Sequence, residues 1–380
     1  KASLPAIGSA KAKRSGRKRL LWLLGLALLV LMCLVTTGGV FAVRFLDLPI
    51  AFLSTPAAPP AASAEAQVAP TTSPVVPTIP PEPTATATPT PPLVVARTLP
   101  SLTYMGRDTD QSWRIYVMNA DGSGAAALSP EGLSDTAPIW SPDGQKIAFV
   151  SQRDGNREVY IIDANCANLP AGCGQNAVNV TRHPADDWTP AWSPDGKRLA
   201  FSSIREGNWE IFVLDTTCFA SPESCPDSAV QLTTNGSGNL GPVWSLDGSR
   251  IAYSSKVPGN WDIYTMTHGG ADVRQLTTDP GNDLSPAWSP DGTRLAFESN
   301  RDGNVEIYVV GADGGAAQNI SNFPLANDHG PTWSPDGQLL VFYSNREGNW
   351  DIFSTTLDGQ TVVNLTQTPT RDEQTPSWRP

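Results

Sequence analysis

Five positions ahead of each of six regularly spaced tryptophans stand Asp135, Asp187, Asn239, Asp283, Asp328 and Glu373. Five of these six side chains are acidic. If equivalent strands begin at these positions around a common axis, the side chains ring one mouth of a channel. Such a ring is a candidate site for a cation or a basic peptide. The competing chemistry is local, because a carboxylate or amide ahead of a Pro-x-Trp segment can accept backbone N–H bonds and cap its own turn. A second pair recurs five residues apart as Arg153/Glu158, Arg205/Glu210, Arg301/Glu306 and Arg346/Asp351, and fails where Val257 precedes Asp262. An exposed ion pair is worth about 0–1 kcal/mol, so this pattern reads as a repeated hairpin clamp. Trp209, Trp261 and Trp350 share the position Gly-Asn-Trp-acidic, which points to packing between hairpins, and Trp188 stands at another turn.

Catalytic chemistry finds no constellation. His183, His268 and His329 occupy three different repeat positions, and the chain has no Gly-x-Ser-x-Gly elbow, Gly-rich phosphate loop, zinc motif or EF-hand loop. No catalytic residue, metal site or cofactor is therefore assigned. Four cysteines fall at one point of two consecutive repeats, as Cys166-x6-Cys173 and Cys218-x6-Cys225. They are expected to form two local disulfides, Cys166–Cys173 and Cys218–Cys225. A four-cysteine zinc site is the rival, against which the x6 spacing is wider than the usual two to four.

The elements that must position these residues come from an internal repeat. Pro-x-Trp-Ser-x-Asp-Gly recurs at 138–144, 190–196, 242–248, 286–292 and 331–337, and the chain ends on Pro-Ser-Trp-Arg-Pro. The tryptophans, 140, 192, 244, 288, 333 and 378, are spaced by 52, 52, 44, 45 and 45 residues. A period of 40–50 residues with strand-like content indicates propeller blades. Each unit reads as four short strands: Pro-x-Trp, an Asp-Gly turn, an alternating strand such as KIAFVS, a polar turn such as QRDGNR, then EVYIID and VNVT. Residues 101–129 match the later three strands and residues 376–380 supply the missing first one. The expected fold is all-β, a six-bladed β-propeller over 101–380 closed by pairing the C-terminal strand with the N-terminal blade.

This pattern resembles the TolB-like family of β-propeller repeats, WD-like in architecture, over about 280 residues. The resemblance implies the fold more than any activity, since propellers host many functions. Leu246 stands where the other repeats have proline.

Ahead of the repeats the composition changes. Residues 1–19 are basic, and Leu20–Val43 runs 24 residues without a charge, as expected of a transmembrane helix about 36 Å long with its N-terminus in the cytoplasm. Residues 44–100 form a Pro/Thr/Ala-rich linker without the apolar content of a core, expected to be disordered. The net charge of −11 divides into +7 over 1–50, −1 over 51–100 and −17 over 101–380. So acidic a globular part excludes nucleic acid as the expected partner. The reading is a single-pass membrane protein whose propeller lies outside the membrane and binds a protein, peptide or other ligand without catalysis. The alternative is the sensor ectodomain of a larger receptor, for example a membrane Ser/Thr protein kinase whose cytoplasmic part lies upstream of Lys1.

Overall fold

The computed structural model describes residues 101–107, 109–164, 176–257 and 259–380. The expected membrane span Leu20–Val43, the linker 44–100 and the cysteine pair Cys166–Cys173 lie outside the described residues. Among the described residues no helix is long and apolar enough to cross a membrane.

Residues 101–380 form six four-stranded antiparallel sheets, five of them running inner, second, third and outer strand in chain order. One complete blade consists of Asp135–Trp140, Lys146–Ser151, Glu158–Asp163 and Val178–Asn179. The six inner strands neighbour one another in a closed circle and line the central channel. Closure is as the repeat implies: Asp372–Trp378 is the inner strand of the blade whose other strands are Leu102–Arg107, Trp113–Met118 and Ala126–Ala127. Its register places Trp378 opposite Leu102 and Asp372 opposite Arg107. The ends of the ring are therefore hydrogen-bonded into one sheet and no inner edge is left open.

The core lies between the blades. Ala148, Val159 and Ile161 of one blade pack on Trp192, Leu199, Phe201 and Phe212 of the next. Burying an aromatic side chain of this kind contributes roughly 1.5–3 kcal/mol. Within every blade the second and third strands bring two aromatic rings together, from Tyr104–Tyr116 at 5.4 Å to Phe342–Phe353 at 6.2 Å. These pairs explain the apolar centre of each KIAFVS-like and EVYIID-like strand.

Cys218 and Cys225 are disulfide-bonded, with Cα atoms 5.1 Å apart. The bond staples a loop of short helical turns that begins where Asp215 accepts the Thr217 N–H at 2.8 Å. Phe219 of that loop packs edge-on against Trp192 at 5.8 Å.

Candidate functional site

The inner strands decide what the channel offers a ligand. Their burial alternates around a fault: the first and fourth residues are buried, while the second and third are partly exposed. The buried first position belongs to Asp135, Asp187, Asn239, Asp283 and Asp328, and Glu373 occupies its counterpart in the closing strand. All six residues are fully buried. They therefore do not form the open acidic ring that their spacing suggested.

Their carboxylates are taken by arginine. Asp135, Asp187, Asp283 and Asp328 receive Arg153, Arg205, Arg301 and Arg346 at 3.0, 3.0, 2.9 and 2.8 Å. Each guanidinium also donates to the serine two residues before it at 2.9 Å and lies over the blade's aromatic rings. The arginine thus meets a residue 18 positions back, across the inner hairpin. The clamp expected between Arg153 and Glu158 is replaced by this pair, because Glu158 accepts from Thr181 Oγ1, Asn156 Nδ2 and the His183 N–H. Burial raises the pKa of Asp187, with Arg205 opposing the rise.

Two blades depart from the pattern in a matched way. Where Val257 replaces the arginine, the ring residue is the neutral Asn239, which donates to Glu210 at 2.8 Å and to Asn235 at 2.7 Å. In the closing blade Thr109 occupies the arginine position, and Arg371 enters from the other side to reach Glu373 at 2.7 Å and cover the Tyr116 ring. Burial holds the Glu373 carboxyl up at about 7 even so. Charge at the ring follows the availability of a buried cation, as the desolvation cost of an unpaired carboxylate requires.

Ring positions also join successive blades. The backbone N–H groups of Asp187, Asn239, Asp283, Asp328 and Glu373 donate to the carbonyls of Arg157, Trp209, Trp261, Val305 and Trp350 in the preceding blade. The Gly-Asn-x-acidic motif serves the same joint: Asn156, Asn260, Asn304 and Asn349 donate to carbonyls in the loop ahead of the next inner strand.

What faces the channel at this mouth is the faulted pair of positions. The third residue of each inner strand, Ala137, Thr189, Gly241, Ser285, Gly330 or Thr375, has a positive φ between 48° and 62°. Pairing with the second strand skips there in the five intact blades. This is a bulge, which re-aims side chains and interrupts the ladder. A non-glycine residue in that conformation costs on the order of 1–3 kcal/mol, and its recurrence in every blade marks a maintained feature. At Gly330 a side chain has no room, since a Cβ would lie 2.8 Å from the Tyr343 ring.

The second residues, lifted by the bulge, are Thr136, Trp188, Leu240, Leu284, His329 and Gln374, all partly or well exposed. Trp188 packs on Trp209 at 6.1 Å and lies under the Arg157 guanidinium. His329 stacks on Tyr343 at 5.3 Å, meets Trp350 edge-on at 5.4 Å, and has its Nδ1 3.1 Å from Glu298 Oε2. The same oxygen accepts the Gly330 N–H at 3.0 Å. Burial and the nearby Glu298 charge both raise the Tyr343 pKa. The mouth thus offers apolar, aromatic and hydrogen-bonding groups side by side, a surface suited to recognition. No group of three or more metal-ligating side chains comes together among the described residues. Sequence reasoning missed this mouth, although the repeat held a signal: these positions vary between blades whose remaining frame is fixed.

A closed ring of six four-stranded blades, with joints repeated from blade to blade and a varied mouth, defines a six-bladed β-propeller. The chain belongs to the TolB beta propeller domain family, whose model matches residues 174–380. Among curated proteins it is similar to the Tol-Pal system protein TolB of Desulfosudis oleivorans, 28% identical over 145 residues, covering 38% of this chain and 28% of that protein. It is also similar to the TolB of Bordetella pertussis, 34% identical over 138 residues, covering 27% of this chain and 32% of the relative. The match thus spans about a third or less of these relatives' length. The crystal structure of TolB from Acinetobacter baumannii shares the fold, with a TM-score of 0.64 at 23% identity over 74% of this chain and 67% of that one.

Proposed function

We propose that the propeller is a non-catalytic module that binds a protein or peptide at the mouth formed by Thr136, Trp188, Leu240, Leu284, His329 and Gln374. The observation that carries this reading is the contrast between a frame repeated six times and a bulged ring on which five kinds of side chain are displayed. Residues that keep a blade folded must repeat, whereas residues that meet an asymmetric partner must differ. The relatives' name, Tol-Pal system protein, supports a protein partner. The module is held outside a membrane by Leu20–Val43, with residues 44–100 as spacer; the basic stretch ahead of the apolar run supports that orientation. The same arrangement serves a receptor whose ectodomain is the propeller.

The test uses the full-length chain, cross-linked in its native membrane and purified. Trp188→Ala, Leu240→Ala and His329→Ala are expected to lose the cross-linked partner while retaining the parent's melting temperature. Retention of that partner by all three variants, with loss on changing Val230, an exposed residue on the outer strand Val230–Gln231 of its blade, to Asp, would overturn the assignment of the mouth.

A further inference from the structure

At the end of the channel opposite the bulges, the repeat tryptophans stand where one blade meets the next. Three of them carry a guanidinium. Arg198 lies over Trp244 at 4.7 Å, Arg294 over Trp333 at 4.9 Å and Arg379 over Trp140 at 5.4 Å. At a fourth joint Phe219, from the disulfide-bonded loop, meets Trp192 edge-on. All four of these tryptophans are buried.

Trp288 differs. It packs on the core of its own joint but is partly exposed, and among the described residues neither a guanidinium nor a second ring lies on it. Arg250 opens its strand as Arg198 and Arg294 open theirs, yet it is drawn aside. Its Nη2 donates to Thr265 Oγ1 and its Nη1 to Asp272 Oδ2, each at 2.9 Å. Thr265 is one cause, since the same strand position holds Val213 and Val309 in the neighbouring blades, whose side chains accept no hydrogen bond. The result is a cavity of about 610 Å³ walled by Leu246, Arg250, Arg274, Trp288, Asp291 and Asp313.

The charge of this cavity favours a cation. Arg250 and Arg274 share Asp272 at 2.9 and 2.7 Å, and Asp247, Asp291 and Asp313 add three further carboxylates. Hydrogen bonds from Ser289 and Thr293 hold the Asp291 carboxyl well below the ordinary range, and those from Ser245 and Ser249 lower Asp247, so both stay ionised. A cation over an indole face is attracted by the ring quadrupole, more strongly as it sheds water. The cavity also runs into the channel mouth, because Ser245, Leu246, Trp288 and Pro290 line both. Leu246, 61% exposed where the other repeats have proline, offers apolar surface to a chain that carries the cation.

We propose that this cavity binds the guanidinium of an arginine side chain on a peptide ligand, stacked on Trp288 and facing Asp291 and Asp313. The incoming group takes the place that Arg198 and Arg294 fill from within at their own joints. The site is separate from the bulged mouth and stands or falls independently of any partner there.

Calorimetric titration of the full-length chain with the end-blocked peptide Gly-Gly-Arg-Gly-Gly tests it. Saturable binding at a single site is expected, lost when uncharged citrulline replaces arginine and weaker for free L-arginine. Trp288→Leu is expected to weaken binding by about tenfold. Thr265→Val combined with Asp272→Ala releases Arg250 onto Trp288, so this variant should lose the peptide while keeping the parent's melting temperature. Trp188→Ala, at the other mouth, should leave the titration unchanged. Absence of saturable binding, or equal binding of the citrulline peptide or of free arginine, overturns the proposal. Full affinity in the released-arginine variant, or loss of binding on Trp188→Ala, overturns it as well.

Discussion

The matched exceptions at the buried ring make a double-mutant cycle the most exacting test of what holds the blades. The cycle uses Asn239→Asp, Val257→Arg and the two together. In the parent, Asn239 donates to Glu210 at 2.8 Å inside a fully buried site. Asn239→Asp removes that donor and sets a second carboxylate against the first, with no guanidinium to meet it. Leaving a buried charge without its partner costs about 3–5 kcal/mol, which is the expected loss for this single change. Val257→Arg places a guanidinium over the Tyr253 and Tyr264 rings with no ring carboxylate opposite. In the double variant the arrangement of Asp283, Arg301 and Ser299 can be rebuilt with Ser255, and most of the first penalty should be recovered. Contacting residues couple by about 0.5–3 kcal/mol, and a buried ion pair belongs at the upper end, so a coupling of about 2 kcal/mol or more is expected. The assay is denaturant unfolding of the four proteins, compared at constant m-value. A coupling indistinguishable from zero, or an Asn239→Asp variant as stable as the parent, would refute the account of ring charge given above.

The pH dependence of stability carries a second prediction. The Glu373 carboxyl is raised by burial from its ordinary 4.5 to about 7, so the native state holds a proton there that the unfolded chain has released. Its contribution is present below about pH 4.5 and is lost as pH rises through about 7. Asp262, raised to about 6 by burial and the nearby Asp283, acts in the same direction. Glu373→Gln should therefore flatten the fall in melting temperature between pH 5 and pH 7; an unaltered slope would refute this. Separately, Cys218→Ser should lower stability by about 2.5 kcal/mol through loss of loop closure, and reductant should destabilise the parent more than the variant, which no longer has that bond to lose. Equal melting temperatures for parent and variant under oxidising conditions would show the bond to be energetically idle.

Much of the architecture was legible because repetition converts local pattern into global constraint. Trp-Ser-x-Asp-Gly marked where five of the six inner strands end, and the incomplete units at residues 101–129 and 376–380 dictated ring closure. The ring residues were located correctly along the chain, but their environment was not. Arg153 lies five residues from Glu158 in sequence, yet the hairpin register sends it to Asp135, 18 residues back. Spacing alone cannot distinguish the two targets, since both carboxylates border the same hairpin. The exceptions hold the missing information: the blade without arginine is also the blade with Asn239. The bulge escaped notice because small residues such as Ala137 and Ser285 carry no turn signature of their own. The His329–Glu298 contact joins two blades across the channel wall, and no single repeat encodes it.

Closure of the ring also sets the order in which the molecule can be completed. Leu102–Arg107 is among the first propeller strands to be synthesised, and its inner neighbour, Asp372–Trp378, is the last. At about 5–20 residues per second, the intervening 264 residues take roughly 13–53 s to make. Throughout that interval the first blade presents an unpaired edge beside a growing chain of near-identical strands. The final pairing has the longest sequence separation in the fold and is expected to be the slowest contact to form. A chain that stops ahead of Asp372 therefore loses far more than a tail. It remains an open arc, with five intact blades and a sticky edge where the sixth should close.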